Sequence, residues 1–261
     1  MTRIKKIKRF TFLCVCLIFC ALLTVGCGRL VVAVDSDLAP YSYRTSKKLA
    51  IADGYAGIDI AIAQEIAKEL DKKLVIRDIG RIVPKENEAR TDTVNELVIS
   101  KADFAVAGVV INDSKRAKVL FSIPYMTTYQ VIVVDNNNHS VNSAEDIKPL
   151  TAAVVSGLTG FDACLKIGVE NTRMYNSIQE ALSAVKNGFA DVAVIDRHIA
   201  LSAVRESNED YKIIEDSVFD VEEIAIAVKK DNFVLVEKIN KVLRGLIEDG
   251  QIERWINKLT D

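Results

Sequence analysis

One arrangement occurs twice in this chain. A helix, a turn of small residues, an aspartate and an apolar strand follow one another near 95 to 108 and again near 182 to 196. In the first copy, Asp103-Phe104-Ala105-Val106-Ala107-Gly108 is a short buried strand whose glycine permits close backbone approach. In the second, Leu182 to Gly188 closes a helix with Gly188 as a left-handed cap, and Asp191-Val192-Ala193-Val194-Ile195-Asp196 follows as a strand. Short apolar runs bounded by turns are strands covered on both faces, so two like-built α/β lobes are the economical architecture. At 261 residues the chain is long enough to bury a core in each.

The rest of the chain fits that plan. Leu30-Val31-Val32-Ala33-Val34 predicts a buried strand, and the loop after it, Asp35 to Tyr43, leaves the strand end where open α/β sheets bind ligands. Residues 44 to 56 form a polar excursion of hairpin type. Asp59 is expected to cap a helix with Ile62, Ile66 and Leu70 on its buried face. Leu74-Val75-Ile76 predicts another strand, 77 to 92 a long loop, and Thr93 to Ser100 a helix. Tyr129 to Val134 and Ile224 to Val228 are β-rich runs placed as the crossings between lobes. A stripe from Val236 to Ile247, continued by Ile252, Trp255, Ile256 and Leu259, predicts a helix pair sealing the first lobe.

Charge excludes one class of function. The chain carries 34 basic and 36 acidic residues, a net of −2. Five of the basic groups (Arg3, Lys5, Lys6, Lys8, Arg9) lie in the first nine residues, so the remainder is acidic and has no stripe for nucleic acid. That basic start leads into an uncharged run from Phe10 to Gly28, the pattern of a signal peptide over 1–26. The same run is long enough for a retained transmembrane helix, which is the alternative. Leu23-Thr24-Val25-Gly26-Cys27 resembles the lipobox of bacterial lipoproteins, with Thr24 departing from the usual aliphatic. The resemblance implies a lipid on Cys27, a tether at 27–29 and a place on the extracytoplasmic face of a bacterial membrane.

Cys14, Cys16 and Cys20 fall in the leader, leaving Cys164 alone in the body; with only His139 and His198 there is no zinc or redox pattern. Cys164 reads as a small buried hydrophobe. No phosphate loop, nucleophile elbow or metal triad is present either, so neither a cofactor nor a metal is expected.

The ordered motifs Val34-Asp35-x-x-x-x-Pro40-Tyr41-x-Tyr43, Gly57-x-Asp59-Ile60, Ala107-Gly108, Phe121-Ser122-x-Pro124-Tyr125, Ser156-Gly157-x-Thr159-Gly160 and Asp249-Gly250 before Trp255 resemble the bacterial extracytoplasmic solute-binding proteins of the polar amino-acid family, receptors of ABC importers. The resemblance implies a two-lobed α/β fold of the periplasmic-binding-protein type II, with two strand crossings as hinge. It divides the chain into a first lobe of 30–128 and 223–261 and a second of 129–222. A small polar amino acid or related solute is the implied ligand, a membrane permease and its ATPase the implied partners, and a monomer the implied state.

Carried over by position, Asp196 falls on the acid that meets the ligand ammonium, while Ser156 and Thr159 fall where backbone amides and hydroxyls receive the α-carboxylate. Gly108 and Val110 would offer backbone groups from the first lobe. The carboxylate-clamping arginine is replaced by Lys115, with Arg116 next to it, and lysine fixes orientation less well than a planar guanidinium. The two walls of an aromatic sandwich fall on Leu38 and, by an ungapped count back from Asp103, on Arg90, with Tyr41 or Tyr43 able to compensate for one wall; an arginine at the side-chain end would favour an acidic or strongly polar ligand and repel a basic one unless paired. Asp35 is expected near the cleft, either touching the ligand or orienting the loop backbone, and His198 either hydrogen-bonds across the cleft or stands behind the site or at the surface. Two other functions compete with import: a membrane-tethered sensor or noncanonical solute-binding protein, and, more remotely, an enzyme like cyclohexadienyl dehydratase.

Overall fold

The computed structural model describes residues 28–46, 48–79, 94, 101–207 and 210–260, the side chains of the last two excepted. In chain order the elements are β1 (Gly28–Val34), β2 (Asp37–Leu38), β3 (Ser42–Arg44), β4 (Tyr55–Ala56), α1 (Ile58–Glu69), β5 (Lys72–Asp78), β6 (Phe104–Ala105), α2 (Asp113–Arg116), β7 (Val119–Phe121) and β8 (Met126–Thr128). The chain continues through β9 (Gln130–Asp135), β10 (Thr151–Val155), α3 (Gly160–Ile167), β11 (Asn171–Tyr175), α4 (Ile178–Lys186), β12 (Val192–Asp196) and α5 (Arg197–Glu206). It ends with β13 (Tyr211–Ile214), β14 (Glu222–Ile224), β15 (Ala227–Lys229), α6 (Phe233–Glu248) and α7 (Gln251–Thr260).

Two five-stranded sheets organise the molecule, in the orders β5-β1-β6-β15-β7 and β11-β10-β12-β9-β13. Each has three parallel strands followed by an antiparallel one, with β15 against β6 and β9 against β12. Because β15 comes last in the chain yet enters the first sheet, the backbone crosses between lobes twice. The two-stranded ribbon of β8 and β14 carries both crossings side by side, with Thr128 opposite Glu222 and Met126 opposite Ile224. This is a two-domain α/β fold of the periplasmic-binding-protein type II.

The first crossing lies just before the run at 129 to 134, whereas the second falls within the run at 224 to 228, as expected. Gln130–Asp135 is an interior strand of the second sheet, and the run from Ile224 to Val228 divides into β14 and β15. It divides because its hydrogen-bond partners change. Ala225 N–H bonds the Val109 carbonyl and Ile226 N–H the Ser122 hydroxyl, which carry the backbone from the ribbon to the first sheet.

Three further expectations change. Gly57, not Asp59, is the N-cap residue of α1; Asp59 points inward from the first turn, where burial leaves its carboxylate only distant partners. Gly28 and Arg29 are already strand, opposite Lys72 and Lys73, so β1 takes up two of the three residues assigned to a tether. Helix α7 packs on α1 and α6 as expected, but also on α5 beside the second sheet, because its apolar stripe spans the junction. Residues 80–93 and 95–100 lie outside the described residues, and of the helix expected at 93 to 100 only Val94, helical and buried, is described.

Candidate functional site

The carboxyl ends of β1, β6 and β12 and the start of α3 converge between the lobes on a cavity of about 40 Å³. Its walls include Leu38, Tyr41, Gly108 and Val110 from one side and Thr159 and Asp196 from the other. That volume holds a few waters at most. Tyr41 fills the space beside it: its side chain is 1% exposed, and its hydroxyl donates to Asp196 across the cleft at 3.0 Å from both Oδ1 and Oδ2. The ring also meets His198 edge to face at 6.2 Å.

Gly108 is what lets the ring sit there. Its backbone is left-handed, at φ +56°, and a Cβ on it would lie 3.0 Å from the Tyr41 ring. Its N–H donates to Asp59 Oδ2 at 2.8 Å, while the Tyr125 hydroxyl donates to Oδ1 at 2.7 Å. Burial pushes the Asp59 carboxyl up to about 6 despite these two bonds.

Asp196 has two partners from different directions. As N-cap of α5 it accepts from Ile199 N–H at 3.0 Å, and it accepts the Tyr41 hydroxyl from the other lobe. Burial raises its pKa, opposed first by the Ile199 bond and then by His198, Thr128 and Tyr41. Burial also drives the Tyr41 phenol well above its usual range, with the Asp196 charge adding to it. His198 bridges to the ribbon, its Nε2 3.3 Å from the Thr127 carbonyl.

Lys115 is on the cavity wall, its Nζ donating to the Val110 carbonyl at 3.2 Å, and Asn112 caps the turn that carries it. Arg116 is turned away: it is exposed, with its guanidinium 6.0 Å from the Phe121 ring centre, because adjacent residues on a short helix face different directions. Ser156 is buried behind the wall with its N–H on the Tyr175 carbonyl, so the turn presents Gly157, Leu158 and Thr159 instead. Tyr43 alternates away from the cavity on β3, opposite Asp37 and Ala56, beside Glu206 and Arg205. Asp35 orients the loop, accepting Asp37 N–H at its carboxylate and the Ser42 hydroxyl at its carbonyl. Arg90 and Cys27 lie outside the described residues.

The structure adds a cluster that the sequence reading did not single out. Glu222 Oε2 accepts from Gln130 Nε2 and from the Thr159 hydroxyl, each at 3.0 Å. Burial raises the Glu222 pKa, the two bonds oppose it, and Asp196 and Lys115 act on it with opposite sign. Gln130, a lone amide heading an apolar strand, was the available signal; Glu222, in a run of charged residues, carried none. Among the described residues no three His, Cys, Asp or Glu side chains gather as metal ligands.

Residues 30–260 match the family described as bacterial extracellular solute-binding proteins, family 3. The chain belongs to this family. A probable amino-acid-binding protein of Bacillus subtilis, YxeM, is 25% identical over 270 aligned positions, covering 97% of this chain and 95% of the relative. The L-cystine-binding protein TcyJ of Escherichia coli is 23% identical, over 87% of this chain and 82% of its own. Among solved structures, the substrate-binding protein of an amino acid ABC transporter superposes with a TM-score of 0.76 at 27% identity, covering 89% of this chain and 99% of that one. Family membership makes the chain an extracytoplasmic solute-binding protein; no described helix is long and apolar enough to cross a membrane.

Proposed function

We propose that this chain is the substrate-binding lipoprotein of an ABC importer, capturing a polar amino acid between its lobes and delivering it to the permease. The observation that carries the reading is the pair of opposite charges on one cavity. Asp196 stands on the second lobe and Lys115 on the first, with Thr159, the N-cap residue of α3, on the same cavity. An amino-acid zwitterion has the matching pair, and a helix start offers free N–H groups to its carboxylate.

Capture then works by population shift. The closed cleft has no room for an amino acid, so the ligand enters an open form, and its ammonium takes the place of the Tyr41 hydroxyl on Asp196. Closure follows because only the closed form satisfies both charges at once. Cys27, immediately before β1, would carry the lipid and hold the protein beside the permease, where restriction to the bilayer plane raises its effective concentration. The lipid would appear as a mass increment on the amino-terminal peptide that Cys27→Ser abolishes.

The test is thermal denaturation of the ligand-stripped protein against amino acids, dipeptides and organic acids. A saturable rise in Tm with polar amino acids supports the assignment, since a ligand of the native state stabilises it. A flat response to every amino acid, from folded and ligand-free protein, overturns it and moves the assignment to a sensor or a receptor for another solute.

A further inference from the structure

Among the described residues the charges around the cleft do not balance. A zwitterion uses Asp196 and Lys115 and leaves Glu222, whose carboxylate is held in place by two neutral donors, Gln130 and Thr159. Gln130 and Thr159, together with Val110, also form a wall shared by the small cavity and a second space of about 540 Å³ beside it, and Glu222 lines that second space. An extended side chain leaving the small cavity past Thr159 therefore enters a recess large enough to hold it, with Glu222 at its entrance.

The recess is acidic beyond Glu222. Asp162, Asp220 and Glu223 share its walls, with Lys166 as the basic group among the described lining residues. Lys166 is already engaged in an ion pair with Asp220. A neutral side chain reaching this space would strip water from Glu222 and return no charge, whereas a guanidinium or ammonium would replace that water with a charge-assisted bond.

We propose that Glu222 is the side-chain selector of the cleft and that it selects amino acids with a cationic side chain. The assignment rests on the amino-acid-receptor reading above and adds the ligand class. Glu222 is well placed for such a role because it lies on β14 of the interlobe ribbon and bonds Thr159 of the second lobe. A ligand that engages it acts on the hinge as well as on the walls.

Calorimetric titration of the ligand-stripped protein with isosteric pairs tests this directly. Arginine is compared with citrulline, and lysine with 2-aminoheptanoic acid, in the wild type and in Glu222→Gln. The wild type is expected to bind each cation at least about tenfold more tightly than its neutral partner, the scale of one hydrogen bond to a charged group. In Glu222→Gln the ratio falls toward one. Equal affinities within each pair in the wild type overturn the selector assignment while leaving the receptor reading intact, and that comparison needs no folded variant. A ratio that survives Glu222→Gln also overturns it. Absence of binding by every amino acid in the wild type overturns the receptor reading and the selector with it.

Discussion

The Tyr41 hydroxyl lies 3.0 Å from both carboxylate oxygens of Asp196, and the two residues, 155 positions apart, join the lobes across an otherwise narrow cleft. The bond spans the cleft and occupies the carboxylate that the proposed ligand ammonium would use. The interlobe bond and the proposed capture therefore compete for one group.

Tyr41→Phe keeps the ring and removes the donor. A hydrogen bond to a charged group contributes about 1.5–3 kcal/mol, so the ligand-free protein should lose several degrees of Tm. Amino-acid affinity should rise at the same time, because the ammonium no longer displaces a hydroxyl. Thermal denaturation paired with calorimetry reads both; unchanged values in the two would show that the bond has no energetic consequence.

Asp196→Asn separates the two roles of that side chain. Asparagine caps helices about as well as aspartate, so α5 should keep its bond to Ile199, and the Tm should fall only by the weakening of the Tyr41 bond to a neutral acceptor. The ammonium loses its counter-charge, and affinity for a zwitterionic amino acid should fall at least about tenfold. Retained affinity would remove Asp196 from the binding site.

Gly108→Ala tests the contact beneath Tyr41. At φ +56° an alanine is strained, and its Cβ would press on the ring at 3.0 Å. A left-handed non-glycine residue costs about 1–3 kcal/mol, and the shifted ring should lower amino-acid affinity as well. Urea denaturation and calorimetry of the variant measure the two effects, and wild-type values in both would show that the ring yields freely.

Asp59 should make stability depend on pH in a definite direction. Its folded pKa of about 6 lies above the unfolded value, so the folded state binds the proton more tightly. The stabilisation is fully present below about pH 4, falls as pH rises, and is gone above about pH 6, a total of about 3 kcal/mol at 1.36 kcal/mol per unit. Asp59→Asn cannot titrate, so the difference in unfolding free energy between it and the wild type should change across that window. A difference that is flat from pH 4 to 7 would show that Asp59 is not titrating there.

Local pattern was enough for the architecture and for several element ends. Apolar strands, the repeated helix–turn–strand unit and the left-handed cap at Gly188, observed at φ +71°, all depend on residues close together in sequence. Leu38, Tyr41, Gly108, Val110, Lys115, Thr159 and Asp196, which the family resemblance and not local pattern implies for the cleft, line one cavity, while Tyr43, Arg116 and Ser156, implied with them, do not. Their bonding was not legible. Asp59 reads as a helix cap from its neighbours, yet its partner Gly108 is 49 positions away; Gln130 meets Thr159 after 29 and Glu222 after 92. Arg116 and Lys115 are equivalent as letters, and only the direction of a short helix turns one to the cavity and the other to Phe121. Sequence determined which strands and helices form, because burial periodicity is local. Tertiary structure decided which carboxylates share the cleft, because desolvation and hydrogen bonding depend on groups brought together only when both lobes are assembled.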